Sequence, residues 1–323
     1  MDRAKSLLQE RYVMNRQKRF VMTVLAVGAA AVAGWFGFQA VRPQRIAGEM
    51  KAAAFAVSAE ETTVPAPAST NESPQHNPDL DDAKQLIEDG KKFEARAALT
   101  KLILPAPDGP ARDEMRKMLD AINKELFFSS KPSPDSINYE VQGGDTLAVI
   151  VHNQTKDSNQ SKDYYFTEVV MLVNGIKDAR RIRPGKVLKI PQGTFSALVQ
   201  KDAHRLIILL NGAYIKEYPV GLGAPDSPTP EGKFVLDVGK VKNPDWTSAD
   251  GQLYKFGDPK NILGTRWMPF NDTEGHHGLG IHGTTDPATI GKDVSDGCIR
   301  MLNADVEEIF GMLAPGDTVE ITK

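Results

Sequence analysis

The chain contains a single cysteine, Cys298, among its 323 residues. One cysteine cannot form an internal disulfide, so the fold is not held together by such bonds. Two explanations remain for the thiol: it is a small buried apolar group, or its chemistry is used. The residues around Cys298 bear on both explanations.

Neither sign of charge dominates the sequence, whose formal net charge is only −3. Such a balance gives no indication of a nucleic-acid or polyanion partner, and we expect none. Hydrophobic residues make up 41% of the chain and charged residues 25%, which is typical of a folded protein. The length predicts two or three domains of about 100–200 residues each.

Long apolar runs are absent apart from one, Phe20 to Ala40, which is 21 residues long. At about 1.5 Å per residue it spans roughly 30 Å, the thickness of a bilayer core. Six basic and two acidic residues precede it, which favours a cytoplasmic N-terminus. We predict a cytoplasmic tail over 1–19 and an uncleaved transmembrane helix over 20–41, with the later domains in the periplasm or extracytoplasmic space. A cleaved signal peptide is the alternative.

Two polar, proline-containing stretches flank a helical pattern. Residues 42–78 and 129–138 have too few apolar residues to form a core and are predicted to be linkers. Between them, 79–128 shows apolar residues at helical spacing, with breaks at Gly90 and at 105–110. The pattern resembles one tetratricopeptide-like hairpin plus an extra helix. A spacer and a partner-binding module are both consistent with it.

Residues 139–192 show a strand, two helices and a closing strand. "YEVQGGDTLAVIV" predicts a short strand and then a helix that begins near Asp145 or Thr146. "NGIKDARRIRPGKVLKIP" predicts a turn and a closing strand. This βααβ pattern resembles a LysM domain, a module that binds the N-acetylglucosamine sugars of peptidoglycan and chitin. The polar middle is longer than in most such domains, and a plain spacer is the alternative.

Residues 196–323 are rich in short β runs. Strong hairpin signals occur at Lys201–His204 and Asn211-Gly212. One helix is predicted over Ala304–Leu313. The expected architecture is a mostly antiparallel β fold, sandwich- or barrel-like. The whole chain is thus predicted to be a multidomain α+β protein.

The sole cysteine follows a histidine by sixteen positions in "HGTTDPATIGKDVSDGC". A nucleophilic thiol needs a base or a positive charge nearby, because a free cysteine is mostly protonated at neutral pH. His282 is placed at the end of a predicted strand and can supply that base. Gly297 allows a tight turn before Cys298, and the Gly283 carbonyl can orient the imidazole. A buried cysteine and a core histidine would give the same pattern.

"GIHGTTDPATIGKDVSDGCIRM" resembles the signature of the L,D-transpeptidase catalytic domain, the YkuD-type fold of bacterial cell-wall enzymes. Two segments upstream, "YPVGLGAPDSPTPEGKF" and "GTRWMPF", and one downstream, "LAPGDTVEI", also resemble this family and occur in its order. The resemblance implies that Cys298 is the nucleophile, that His282 is the general base and acid, and that Gly283 orients His282. Ser295 and Arg300 are expected to shape the pocket.

Two further residues complete the predicted substrate-binding set. Gly297 lies beside the thiol, and Trp267 is placed to line the groove, although plain packing explains Trp267 equally well. Many family members have a histidine where this chain has Asp296. A carboxylate close to the thiol would raise the thiol pKa.

The resemblance also implies the reaction. Cys298 would attack a tetrapeptide stem of peptidoglycan, release D-alanine and pass the acyl group to the amine of a neighbouring stem. Transfer to water or to a lipoprotein amine, and a non-catalytic protein that binds peptidoglycan through its LysM domain, are the alternatives. No cofactor is expected. His276 and His277 lack metal-type spacing with His282 and Cys298, so we predict no metal site.

Overall fold

The computed structural model describes residues 78–155 and 163–323. The predicted tail, transmembrane helix and linker up to residue 77 lie outside the described residues, as does the polar stretch 156–162. Within the two described ranges, no helix has both the length and the apolar character needed to cross a bilayer.

Three helices occupy the segment predicted to be helical: α1 (Pro78–Glu88), α2 (Lys92–Ile103) and α3 (Pro110–Leu126). Gly90 ends α1 in a left-handed conformation, with φ +77°, which glycine adopts without strain. Pro110 begins α3, where its missing N–H costs nothing. Both breaks lie where the sequence predicts them.

A strand–helix–helix–strand unit follows, with the order expected of residues 139–192: β1 (Ser136–Glu140), α4 (Leu147–Gln154), α5 (Asp163–Val173) and β2 (Val187–Pro191). The two strands pair antiparallel, from Ser136 opposite Pro191 to Glu140 opposite Val187. Thr146 caps α4, because its side chain accepts a hydrogen bond from the Val149 N–H. We call these elements the βααβ unit.

The remaining residues form two main sheets. The five-stranded sheet has the order β5-β4-β3-β15-β7, with strands β3 (Phe195–Gln200), β4 (Arg205–Leu210), β5 (Ala213–Pro219), β7 (Gly232–Val235) and β15 (Thr318–Thr322). The four-stranded sheet has the order β14-β12-β11-β8, with strands β8 (Val241–Lys242), β11 (Arg266–Pro269), β12 (Gly280–His282) and β14 (Ile299–Arg300). Two small pairs accompany them: β6 (Leu222–Gly223) with β13 (Asp293–Ser295), and β9 (Trp246–Thr247) with β10 (Leu253–Tyr254).

Antiparallel pairing predominates in this β-rich part, as predicted, but three pairings are parallel. They are β3 with β15, β6 with β13, and β12 with β14. Parallel neighbours require a long connection, and a sequence of short β runs does not reveal which distant runs will pair. The predicted last helix is α6 (Asn303–Met312), which packs into the core with both sheets.

The helices α1–α3 cover one face of the five-stranded sheet. Leu99 and Leu119 share a fully buried apolar cluster with Ile207 of β4 and Tyr214 of β5. The Tyr214 N–H donates to the Thr100 hydroxyl at 3.0 Å, and the Asn123 amide donates to the carbonyls of Tyr214 and Ile215 at 2.8 and 3.0 Å. The helices α1–α3 therefore form a layer on one face of the five-stranded sheet.

The segment predicted to be a linker, 129–138, is tied into this body. The buried Arg96 guanidinium donates to the Asp135 carboxylate at 2.6 Å, and Ser136 already belongs to β1. The buried Lys189 ammonium donates to the carbonyl of Leu126 at the end of α3. The polar composition of "SSKPSPDS" is typical of a linker, but Arg96, which holds Asp135 of this segment in place, lies 39 residues away in sequence.

The βααβ unit also packs directly on α6. Lys240, just before β8, lies 3.8 Å from the Tyr165 ring centroid of α5 and 4.2 Å from that of Phe310. Its ammonium donates to the carbonyls of Phe310 and Leu313 at the end of α6, where a cation is favoured by the helix dipole. Burial lowers the pKa of Lys240 to about 7. One apolar core runs from the βααβ unit through both sheets, so the described residues form one compact unit.

Replacing Leu99 with alanine is expected to destabilise the whole unit. Removal of a fully buried leucine should lower the free energy of unfolding by about 3 kcal/mol. Thermal unfolding followed by circular dichroism should show one transition, shifted down. Leu172→Ala, at a half-exposed position, is the control. A separate melting of the helices, with the β transition unchanged, would contradict the integrated fold.

Candidate active site

Cys298 ends a tight turn between β13 and β14. Gly297 has φ +97°, a conformation that residues with a Cβ rarely adopt, and a Cβ there would lie 3.0 Å from the Leu279 side chain. The buried Ser295 hydroxyl donates to the Cys298 carbonyl at 2.6 Å. The Ala224 N–H donates to the Ser295 carbonyl at 2.8 Å. This turn fixes the position of the thiol.

The parallel pairing of β12 with β14 brings the two segments that carry the predicted dyad side by side. Ile281 lies opposite Ile299, and His282 lies opposite Arg300. Cys298 directly precedes β14 and is therefore level with Gly280, two positions before His282. The Cys298 thiol donates to the Gly278 carbonyl at 3.8 Å, which holds it against the start of the same strand.

The His282 imidazole is fixed in one tautomer. Its Nδ1 lies 2.5 Å from the carbonyl oxygen of Gly283. A carbonyl oxygen only accepts hydrogen bonds, so Nδ1 carries the proton and Nε2 has its lone pair available. The orientation by Gly283 that the sequence predicts is present in the structure.

Burial keeps both members of the pair neutral. His282 is 2% exposed, and its burial lowers the imidazole pKa to about 4, despite the hydrogen bond to Gly283. Burial likewise raises the pKa of the half-buried Cys298 thiol to about 11. At neutral pH the site holds a neutral thiol just before β14 and a neutral imidazole at the end of β12, protonation states that suit general-base activation of the nucleophile.

Two charges act on this pair in opposite directions. The Arg300 guanidinium lowers the pKa of both His282 and Cys298, because a positive charge disfavours imidazolium and favours thiolate. The exposed Asp296 carboxylate raises the pKa of Cys298. Its effect is the smallest of the four that act on this pKa, so Asp296 perturbs the thiol only weakly.

The predicted substrate-binding residues lie around the same strands. Trp267 is opposite His282 on β11, with ring centroids 6.0 Å apart, and its ring covers Gly280. Arg300 is half-buried, and its Nε has no hydrogen-bond partner among the described residues. Ser295 and Gly297 shape the turn itself. A substrate-binding role for these four residues stays a prediction.

Asn303, the first residue of α6, also lies against the site, although in the sequence it is only the residue before the predicted helix Ala304–Leu313. Its side-chain oxygen lies behind Gly283 and accepts a hydrogen bond from the Thr265 N–H at 3.1 Å. The sequence signal that points to it is the pair of glycines, Gly264 and Gly283, that leave room for it.

His276 and His277 lie in the loop between β11 and β12. His276 contacts the Phe234 ring, with centroids 6.0 Å apart, and His277 faces Asp272 at 3.7 Å. Across the described ranges, no three His, Cys, Asp or Glu side chains are grouped as metal ligands would be.

A cleft of about 390 Å³ lies elsewhere, between α3, β5 and α6. Its walls carry both signs of charge, from Arg116, Lys216, Asp120, Glu217 and Glu308 among others. It contains neither member of the dyad. The chemistry, rather than cavity size, therefore locates the candidate active site.

The buried neutral His282 should make stability depend on pH. Its folded pKa, about 4, lies below its ordinary value of 6.5, so the unfolded chain takes up a proton first as the pH falls. The contribution is fully present above pH 6.5 and is lost between there and about pH 4, on the order of 3 kcal/mol in all. Chemical unfolding of the wild type and of His282→Gln across this pH range measures the contribution of His282, as the difference between the pH dependences of their free energies of unfolding. An equal pH dependence in both proteins would contradict this assignment.

Comparison with known proteins places these residues in one family. The model of the L,D-transpeptidase catalytic domain, YkuD, matches residues 194–321. YqjB of Bacillus subtilis, which bears the name L,D-transpeptidase, is 39% identical over 127 residues, covering 39% of this chain and 69% of its own length. YkuD of Bacillus licheniformis, named in the same way, is 35% identical over 196 residues, covering 57% of this chain and 98% of its own length.

A solved structure, the catalytic domain from the E. faecium L,D-transpeptidase, is 25% identical with a TM-score of 0.32 and covers 41% of this chain and 98% of that chain. The family match spans the strands and the turn that hold Cys298 and His282, and both Bacillus relatives are matched over most of their length. The chain therefore belongs to the YkuD-type L,D-transpeptidase family.

Proposed function

We propose that this L,D-transpeptidase forms peptidoglycan cross-links through a Cys298 thioester. The observation that carries the proposal is the fixed His282 tautomer. Nδ1–H donates to the Gly283 carbonyl, so Nε2 is unprotonated, and His282 lies on β12, which pairs with β14, the strand that begins directly after Cys298. Family membership supplies the reaction class. The site's own geometry and charges support the residue roles that we propose.

The first half-reaction is acylation. His282 Nε2 takes the proton of the Cys298 thiol while the sulfur attacks the carbonyl carbon before the terminal D-alanine of a tetrapeptide stem. The C–N bond to D-alanine then breaks, and the imidazolium gives its proton to the leaving amine. A thioester on Cys298 and free D-alanine result, and His282 is again neutral.

The second half-reaction consumes the thioester. A side-chain amine of a neighbouring stem attacks the carbonyl and gives its proton to His282. The C–S bond breaks, and the departing sulfur recovers that proton. Because each step begins and ends with neutral groups, the low pKa of His282 and the high pKa of Cys298 are consistent with proton transfer only during the reaction.

Water in place of the amine would make the protein a carboxypeptidase, and a lipoprotein amine would make it a protein anchor. We favour an amine over water, because the exposed Asp296 carboxylate in the turn attracts the ammonium form of an amine, which releases one proton to solvent before the neutral amine attacks the thioester. We also propose that Arg300 and Trp267, which flank His282, contact the donor stem.

The rest of the chain supports action on the cell wall. The antiparallel strands and two helices of the βααβ unit fit the LysM resemblance of 139–192, and we propose that this unit binds the glycan strands. The apolar run over 20–41 is proposed to anchor the protein in the cytoplasmic membrane with these domains outside. A protein partner for α1–α3 has less support, since one face of these helices is buried on the sheet.

Turnover of a disaccharide-tetrapeptide tests the function. The wild-type protein should release D-alanine and form a cross-linked dimer, both visible by mass spectrometry, and Cys298→Ala should do neither. Loss of D-alanine without a dimer would indicate a carboxypeptidase. No turnover, together with retained binding to peptidoglycan sacculi, would indicate a glycan-binding protein without catalytic activity.

The pH dependence of acylation tests the role of His282. Both groups stay neutral between their pKa values of about 4 and about 11, so the rate of Cys298 acylation by a carbapenem should be level from about pH 6 to about pH 9. Intact-protein mass spectrometry measures this rate. His282→Gln should be slower, and its rate should rise about tenfold per pH unit as free thiolate accumulates. A similar rise in the wild type would exclude general-base activation.

A further inference from the structure

Asn303 fills a notch formed by two glycines behind the catalytic histidine. A Cβ atom at Gly283 would lie 2.2 Å from the Asn303 Oδ1, and one at Gly264 would lie 2.3 Å from the same atom. Such distances are far inside van der Waals contact, so only glycine is accommodated at both positions. The Asn303 amide is therefore packed directly against the peptide that holds His282.

The side chain of Asn303 is held there by hydrogen bonds to a neighbouring segment. Its Oδ1 accepts from the Thr265 N–H at 3.1 Å and lies 3.5 Å from the Thr265 hydroxyl. Asn303 is the first residue of α6 and directly follows the N-cap residue Leu302. The bond spans 38 residues of sequence and links α6 to the start of β11.

The same segment positions Gly283 from its other side. The Gly283 N–H donates to the Arg266 carbonyl at 3.2 Å, and the Met301 N–H donates to the His282 carbonyl at 2.8 Å. Arg266 directly follows Thr265. The Gly283 peptide is thus confined between β11, β14 and the Asn303 amide, with its carbonyl directed to Nδ1 of His282.

We propose that Asn303 is a positioning residue for His282. By occupying the Gly264–Gly283 notch and bonding to Thr265, it keeps the Gly283 carbonyl where it fixes the Nδ1–H tautomer, so that Nε2 is the base. This rests on the proposed role of His282 in acyl transfer. Loss of the Asn303 acceptor would let the Gly283 peptide shift and admit the tautomer with Nδ1 unprotonated.

Substitutions of matched branching in the full-length protein test the proposal. Asn303→Leu keeps the number of heavy atoms and the branch point but removes the acceptor, and it should lower kcat for D-alanine release by about tenfold to a hundredfold with little change in KM. Asn303→Asp keeps the acceptor for Thr265 and should retain most of the wild-type kcat. Equal kcat in the wild type and Asn303→Leu would overturn the proposal.

A control separates positioning from loss of stability. Asn123 is a fully buried asparagine that holds backbone carbonyls far from the dyad, so Asn123→Leu should lower the melting temperature but leave kcat unchanged well below it. If Asn303→Leu loses activity only in proportion to its melting temperature, as Asn123→Leu would, the role is structural and the proposal fails.

A double-mutant cycle tests the direct contact. Gly283 does not have a left-handed φ, so alanine is permitted by the local backbone conformation. Its largest overlap is with the Asn303 Oδ1, ahead of the tighter-than-usual approach to the Thr265 nitrogen at 3.1 Å. Gly283→Ala should lower kcat strongly, and Asn303→Ala in the same chain should restore part of that loss, because it removes the overlapping atom. Effects of the two substitutions that simply multiply would contradict the coupling.

Nitrogen-15 NMR of the His282 imidazole gives a readout that does not depend on turnover. The wild type and Asn303→Asp should show Nδ1 protonated, and Asn303→Leu should show a mixture of tautomers. If no protein, including the wild type, releases D-alanine, the proposed function fails, while the tautomer measurement still reports on Asn303. An unchanged tautomer in Asn303→Leu would overturn the positioning role.

Discussion

The parallel pairing of β12 with β14 is the constraint on which the site depends. It sets Ile281 against Ile299 and so brings a histidine and a cysteine that are sixteen residues apart onto adjacent strands. The connecting loop returns through β13, which pairs with β6, and closes in the Ser295–Cys298 turn. Parallel neighbours cannot be joined by a tight turn, so the length of this loop is a requirement of the pairing.

Burial at this pairing has a chemical consequence. Because the imidazole is buried and the thiol is half-buried, neither is charged at rest, and a buried ion pair does not have to be stabilised. The hydrogen bond from Nδ1–H to Gly283 replaces the carboxylate that orients the histidine in many catalytic triads. A backbone acceptor needs neighbours that hold it in place, which gives β11 and α6 their importance here.

Much of the fold could be predicted from the sequence because its signals are local. Spacing and turn residues predict the glycine breaks, the hairpin turns, the helix after Cys298 and the βααβ order. Gly283 and Gly297 occupy positions where a side chain would overlap a neighbour or strain the backbone. What could not be predicted depends on contacts between distant segments. Arg96 meets Asp135, Thr100 meets Tyr214 and Asn303 meets Thr265. Through these contacts the helical segment, residues 129–138 and the start of α6 become parts of one compact unit.

The helices α1–α3 cover the five-stranded sheet, so the boundary of the family match is not a boundary of the folded unit. The family match begins at residue 194, yet Ile207 and Tyr214 on that sheet are fully buried with Leu99 and Leu119 of the helices. A fragment cut at the family boundary would expose this apolar face to solvent, and such faces promote aggregation. The unit of homology is therefore smaller than the unit that can remain soluble when produced by itself.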